Sequence, residues 1–114
     1  MNAGELRTLI RIENRSTESN KNGYEAEDWT PIDGGDHWRH ARWRSAYGTE
    51  ALLAEQAGIS DLATCIIRYT PKLTATCRVF RQGDDRPYEV YGIHALDDRK
   101  HWLEFKVQRR NESQ

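Results

Sequence analysis

The sequence predicts a mainly β protein, a small antiparallel β-barrel with one short inserted α-helix and long polar loops. Three observations carry that expectation. Short segments with period-2 hydrophobic alternation recur along the whole chain, turn residues separate them, and a single run of helix formers interrupts them midway. Closure into a barrel follows because it is the usual way for many short strands to avoid exposed edges.

Residues 6–13 put Thr8, Ile10 and Ile12 on one face and Arg7, Arg11 and Glu13 on the other, the pattern of a half-buried strand that only Leu9 breaks. Residues 14–23 are polar throughout. Asn14, Ser19, Asn20, Lys21, Asn22 and Gly23 offer nothing to bury, so this stretch reads as an exposed, mobile hairpin loop. Residues 24–29 return as a second strand, and Pro31, Gly34 and Gly35 stop regular structure before an aromatic and basic strand over residues 37–44. Thr49 can cap a helix, Glu50 suits the positive end of its dipole, and residues 51–57 are helix formers that Gly58 can terminate. So short a helix is not stable alone, and Leu52, Leu53 and Ala57 are expected to pack on the sheet. Strands follow over residues 62–70, 76–81, 88–96 and 102–108, the last with clean Leu103, Phe105, Val107 alternation. Pro71, Gly83 with Asp84 and Asp85, and Asp97 with Asp98 mark the turns between them.

No repeat or linker divides the 114 residues, which read as one domain, 1–114, burying roughly two-thirds of the surface of the unfolded chain. Charged residues make up 31% and apolar ones 37%, so the core is thin and drawn from a few Ile, Leu, Val, Tyr and Trp side chains. No apolar run approaches the roughly 20 residues that cross a bilayer, and residues 1–13 alternate charge with hydrophobe where a signal peptide carries one apolar block. Synthesis and assembly in a cytoplasm, with no membrane partner, are the expectation. Cys65 and Cys77 lie in strand-like segments without C-x-x-C spacing and read as buried free thiols.

The net charge of −1 argues against affinity built on many phosphates. Its distribution is uneven. Glu25, Glu27, Asp28, Asp33 and Asp36 form an acidic stretch, Arg39, Arg42 and Arg44 follow at once, and Arg99, Lys100, Lys106, Arg109 and Arg110 make the end basic. Opposite patches on one small subunit suit head-to-tail self-association, and solvated faces with no partner are the plain alternative.

Chemistry-bearing motifs are missing. His37 and His40 fall on opposite faces of a strand and no third ligand has diagnostic spacing, so no metal site is expected. No cysteine or serine sits in a glycine-flanked elbow, His94 has no orienting acid, and no glycine-rich loop cradles a phosphate, so neither catalytic residues nor a cofactor are expected. Residues 38–44 mix tryptophan and arginine as base-stacking surfaces do. Alternation splits the mixture, sending Trp38, His40, Arg42 and Arg44 one way and Arg39, Ala41 and Trp43 the other.

The order of several short motifs resembles the head-tail joining proteins of tailed bacteriophages, the head-completion adaptor or stopper subunits. A G-x-L-R opening with alternating isoleucines is present as Gly4, Leu6, Arg7, Ile10 and Ile12. Ala41, Gly48 and Glu50 stand where that family passes from a strand through a small turn into its helix, and Ile67, Arg68 and Tyr69 match its I-R-Y strand. Tyr88 and Val90, Asp97 and Arg99, and Leu103 and Phe105 match its closing pattern. His40 replaces a common Trp, Ser45 a common Pro and Tyr47 a common Ser.

The resemblance implies a structural virion subunit with no cofactor. Copies would form a ring, dodecameric in the particle, below the portal; the ring would extend or close the DNA exit channel and dock the tail. DNA would pass the lumen without sequence-specific binding, and portal or adaptor ring and tail proteins would be partners. Arg39, Arg42, Arg44, Glu50, Arg68, Asp33, Asp36 and the residues of the first polar loop are the expected interaction residues. A strand-borne Arg68 needs a carboxylate if buried, and Glu50 is one candidate. An OB-like barrel binding single-stranded nucleic acid and a tail-terminator-type subunit are the alternatives.

Overall fold

The computed structural model describes residues 3–15, 29–35 and 37–110. After a short 3-10 turn (Ala3–Glu5) come β1 (Thr8–Arg15), β2 (Trp29–Pro31), β3 (Arg39–Ser45), helix α1 (Gly48–Gln56), β4 (Ile59–Arg68), β5 (Cys77–Arg81), β6 (Tyr88–Ala95) and β7 (Trp102–Arg110). Six strands close on themselves in the order β1-β3-β4-β7-β6-β5 and back to β1, every pair antiparallel, and β2 adds to the later half of β1. The closing pair runs from Ile10 opposite Arg81 to Asn14 opposite Cys77.

Alternation explains why these segments are strands and which side faces in. Ile10 and Ile12, Ala41, Ala63 with Cys65 and Ile67, Cys77 and Val79, Tyr88 and Val90, and Leu103 with Phe105 and Val107 all point into one core, joined by Leu73 from the β4–β5 loop. A one-residue slip in any strand would turn its apolar set to water, so burial of one face holds every register. The β6–β7 ladder takes up one extra residue between Tyr91 and His94, where Gly92 adopts a positive φ of 63°, a bulge that glycine makes without a Cβ penalty.

The two cysteines are free and buried, and burial pushes the Cys65 thiol up, away from thiolate reactivity. Among the described residues no helix is long and apolar enough to cross a membrane.

Three expectations need correction. Asn14 belongs to β1 and not to a loop; its Oδ1 accepts a hydrogen bond from Thr76 Oγ1 at 2.9 Å, tying β1 to the turn before β5. Residues 16–28, which hold Ser19, Asn20, Lys21, Asn22 and Gly23 and most of the expected second strand, lie outside the described residues, as does Asp36. The helix is capped by Tyr47 in extended conformation without a side-chain hydrogen bond, not by Thr49. Its buried residue is Ala54, while Leu52 and Leu53 are 54% and 60% exposed and Ala57 is exposed too. The core is already closed by six strands, and a small alanine face lets α1 approach the end of β4 closely without inserting its leucines.

The packing implies unequal costs of truncation. Phe105 is wholly buried at the centre of β7, so Phe105→Ala should cost about 3–5 kcal/mol in urea unfolding, whereas Leu53→Ala should stay within about 0.5 kcal/mol. Equal losses at the two positions would contradict the assigned core.

Candidate interaction surfaces

A filled barrel leaves recognition to its ends and outer walls. Four features of that surface have defined geometry.

The first is an arginine cluster at the end where α1 sits. Arg109 continues the inward alternation of β7 past Val107, and its guanidinium bonds Asp61 Oδ2 through Nε at 2.9 Å and Asp84 Oδ2 through Nη1 at 2.7 Å. It also lies 4.2 Å over the ring of Tyr88, which meets Trp43 edge-on at 5.0 Å, with Arg81 covering the tryptophan. Burial pushes the Asp84 carboxyl up, but the Arg86 backbone N–H and the Arg109 charge outweigh it and hold the group below the usual carboxylate range. The cluster clamps the β5–β6 turn and the start of β4 to the end of β7.

The second is the mirror device at the other end. Asp33 receives Arg39 bidentately, Nε to Oδ2 at 3.0 Å and Nη2 to Oδ1 at 2.6 Å, and Arg39 Nη1 donates to the carbonyl of Arg68 at 3.2 Å. The hydrogen bonds from Arg39 hold Asp33 below its ordinary value despite partial burial. Two residues expected to meet partners therefore meet each other and tie the β2–β3 loop to the barrel.

The third is a groove of about 530 Å³ between the start of α1 and the outer wall of β3, β4 and β7. Arg42, Arg44 and Lys106 line it together with Glu50 and Glu104. Arg44 bonds the Tyr47 hydroxyl at 3.0 Å, and His94 meets Glu104 at 3.0 Å. Such mixed charge does not select phosphates. Glu50 and Arg68 do not pair: alternation beside inward Ile67 turns Arg68 outward, where it lies 5.1 Å over the Trp102 ring.

The fourth is a groove of about 770 Å³ beside the end of β7, where β5 and β6 share only the Arg78–Glu89 and Val79–Tyr88 pairs. Arg15, Trp29, Arg78, Arg86, Glu89 and Arg110 are among its lining. Arg78 donates to Glu13 Oε1 at 2.8 Å and stacks 4.2 Å over Trp29. Sequence reading missed this site and Arg109; the signal for Arg109 was the β7 alternation carried one step further.

Among the described residues no cluster of His, Cys, Asp and Glu could hold a metal ion. A family model described as phage head completion protein matches residues 1–110. The chain belongs to that family. Its role is structural, in completing the phage head. Among solved structures this head completion protein is similar to protein SF1141 from Shigella flexneri 2a, with 23% identity, coverage of 100% of this chain and 99% of that one, and a TM-score of 0.68. It is also similar to a chain of the virion of a native gene transfer agent particle, with 13% identity, coverage of 94% and 98%, and a TM-score of 0.58. These two likenesses speak to the fold. No curated protein matches the chain.

Both carboxylates with lowered values gain their partners on folding, so their contribution is complete above the unfolded value near pH 4 and is lost as the pH falls through the lower folded value. Stability measured by urea unfolding should therefore fall on acidification below about pH 4 in the native protein, and Arg39→Gln should flatten that acid limb. An unchanged limb in the variant would refute the Asp33 assignment. At pH 7, Arg109→Ala should cost about 2–4 kcal/mol, because it leaves two carboxylates and the Tyr88 face without their cation.

Proposed function

We propose that copies of this head completion protein form a ring below the portal, extend or close the DNA exit channel, and present the surface on which the tail docks. The observation that carries this reading is the family match over nearly the whole chain, set on a closed barrel whose interior is filled. Walls serve lateral contacts and ends serve axial ones. Portal or adaptor ring and tail proteins are the partners, assembly takes place in the host cytoplasm, and DNA crosses the lumen without base recognition.

The chain is proposed to have no catalytic activity and to need no cofactor. His37, His40 and His94 sit on exposed or outward positions, and the thiols of Cys65 and Cys77 are enclosed by core. The OB-like alternative needs aromatic faces open to bases, and Trp43 is instead spent on Tyr88 and Arg81 at the barrel end.

Electron microscopy of particles produced without this gene tests the reading. DNA-filled or leaking heads lacking tails are expected; normal tailed particles would overturn it. Arg68→Ala belongs to the same experiment. Its side chain is exposed and stacked on Trp102, so the variant should lose less than about 1 kcal/mol of stability, and any loss of tail joining would then report a contact surface rather than misfolding.

A further inference from the structure

The barrel is closed unevenly around its circumference. β4 and β7 pair from Ile59–Arg110 to Arg68–Trp102, and β1 and β5 from Ile10–Arg81 to Asn14–Cys77, whereas β5 and β6 meet only at Arg78–Glu89 and Val79–Tyr88. β6 then runs on to Ala95 beside β7, and among the described residues no ladder takes its backbone on the β5 side. The groove of about 770 Å³ includes this place, where Ala75, Thr76 and Cys77 line it together with Glu89 and Val90. So short a ladder resists separation far less than its neighbours do.

Side chains reinforce one end of this seam. Asp84, in the turn after β5, accepts Arg109 Nη1 at 2.7 Å and the Tyr88 hydroxyl at 3.4 Å. Its backbone N–H donates to the carbonyl of Arg81 at 2.9 Å, so the turn moves with the end of β5. Parting β5 from β6 therefore draws Asp84 off Arg109. The bond of Arg109 Nε to Asp61 Oδ2 is different in kind, because it joins β7 to β4, which the longest ladder already holds.

We infer that the native barrel opens along the β5–β6 seam, with Arg109 and Asp84 as its latch, while the other ladders stay formed. Opening there breaks two residue pairs and the latch; every other seam except the short β1–β3 ladder would have to give up more. At β1–β3, Arg39 adds a second tie, since it bonds Asp33 and reaches the carbonyl of Arg68. The wall can thus yield at one line without loss of the fold, and this holds whether or not copies form a ring.

The chain carries its own reporters: Cys77 is buried at the seam, and Cys65 is buried in β4 between Trp43 of β3 and Phe105 of β7. Iodoacetamide labelling of the native full-length protein, read at each site by peptide mass spectrometry, follows both. Cys77 should react about tenfold or more faster than Cys65 and respond little to low urea, because a local opening exposes little surface. Asp84→Asn should speed both thiols by about three- to tenfold, since the latch is lost in the opened state and in the unfolded one alike. Asp61→Asn should speed Cys65 alone, because its bond survives the opening. Equal or reversed rates at the two thiols, with the same response to urea, would show that only global unfolding exposes Cys77 and overturn the inference. A Cys77 rate that Asp84→Asn leaves unchanged overturns it too, since fraying of the Thr74–Cys77 turn then explains the labelling, as does one that Asp61→Asn raises equally.

Discussion

Pairing of β1 with β5, strands distant in sequence, turns an open sheet into a closed barrel, and the rest of the molecule follows from that closure. With it, six strands share two neighbours each and a chain only 37% apolar encloses a core in which Ile10, Val79, Phe105 and Val107 are wholly buried. Without it, both β1 and β5 would present unpaired backbone to water or to other chains. Closure also sends the remaining polar chemistry outward, because a barrel of this size is filled by side chains. A role resting on surfaces rather than a pocket is what such an architecture supports.

The outer layer is held by arginines. Arg78 with Glu13, and Arg109 with Asp61 and Asp84, join segments far apart in the chain and stack on an aromatic ring as well, while Arg39 holds the nearby Asp33 and reaches the carbonyl of Arg68. Guanidinium suits this use because it offers several donors in a fixed plane and stays weakly hydrated above a ring face. The consequence for charge is direct. Some of the charges that stand apart in the sequence are folded onto each other, Glu13 with Arg78 and Asp61 with Arg109 among them.

Strands were legible because burial of one face is written at period two; Leu103, Phe105 and Val107 announce β7, and the division of residues 38–44 put Ala41 and Trp43 on one face without saying which face was internal, which the structure shows to be theirs. The pairing that closes the barrel was not legible, since register between distant strands is decided by which faces fit together in three dimensions. The helix was readable as a helix, but not its orientation: hydrophobicity favoured Leu52 and Leu53 for the inside, while close approach to β4 favoured Ala54. Arg68 was read as needing a carboxylate, and the alternation that makes Ile67 internal places it outside on Trp102. Arg39 and Asp33 were assigned to partners because their pairing depends on how the β2–β3 loop turns, which no local pattern encodes.

The position of α1 carries the last physical point. A helix this short has little stability of its own, and in the single subunit Ala54 is its buried residue, against the start of β4. Ordering the chain there costs conformational entropy that exposed leucines do not offset. The barrel closes without those leucines, so core formation gives no reason for apolar side chains at 52 and 53, and solubility gives a reason against them.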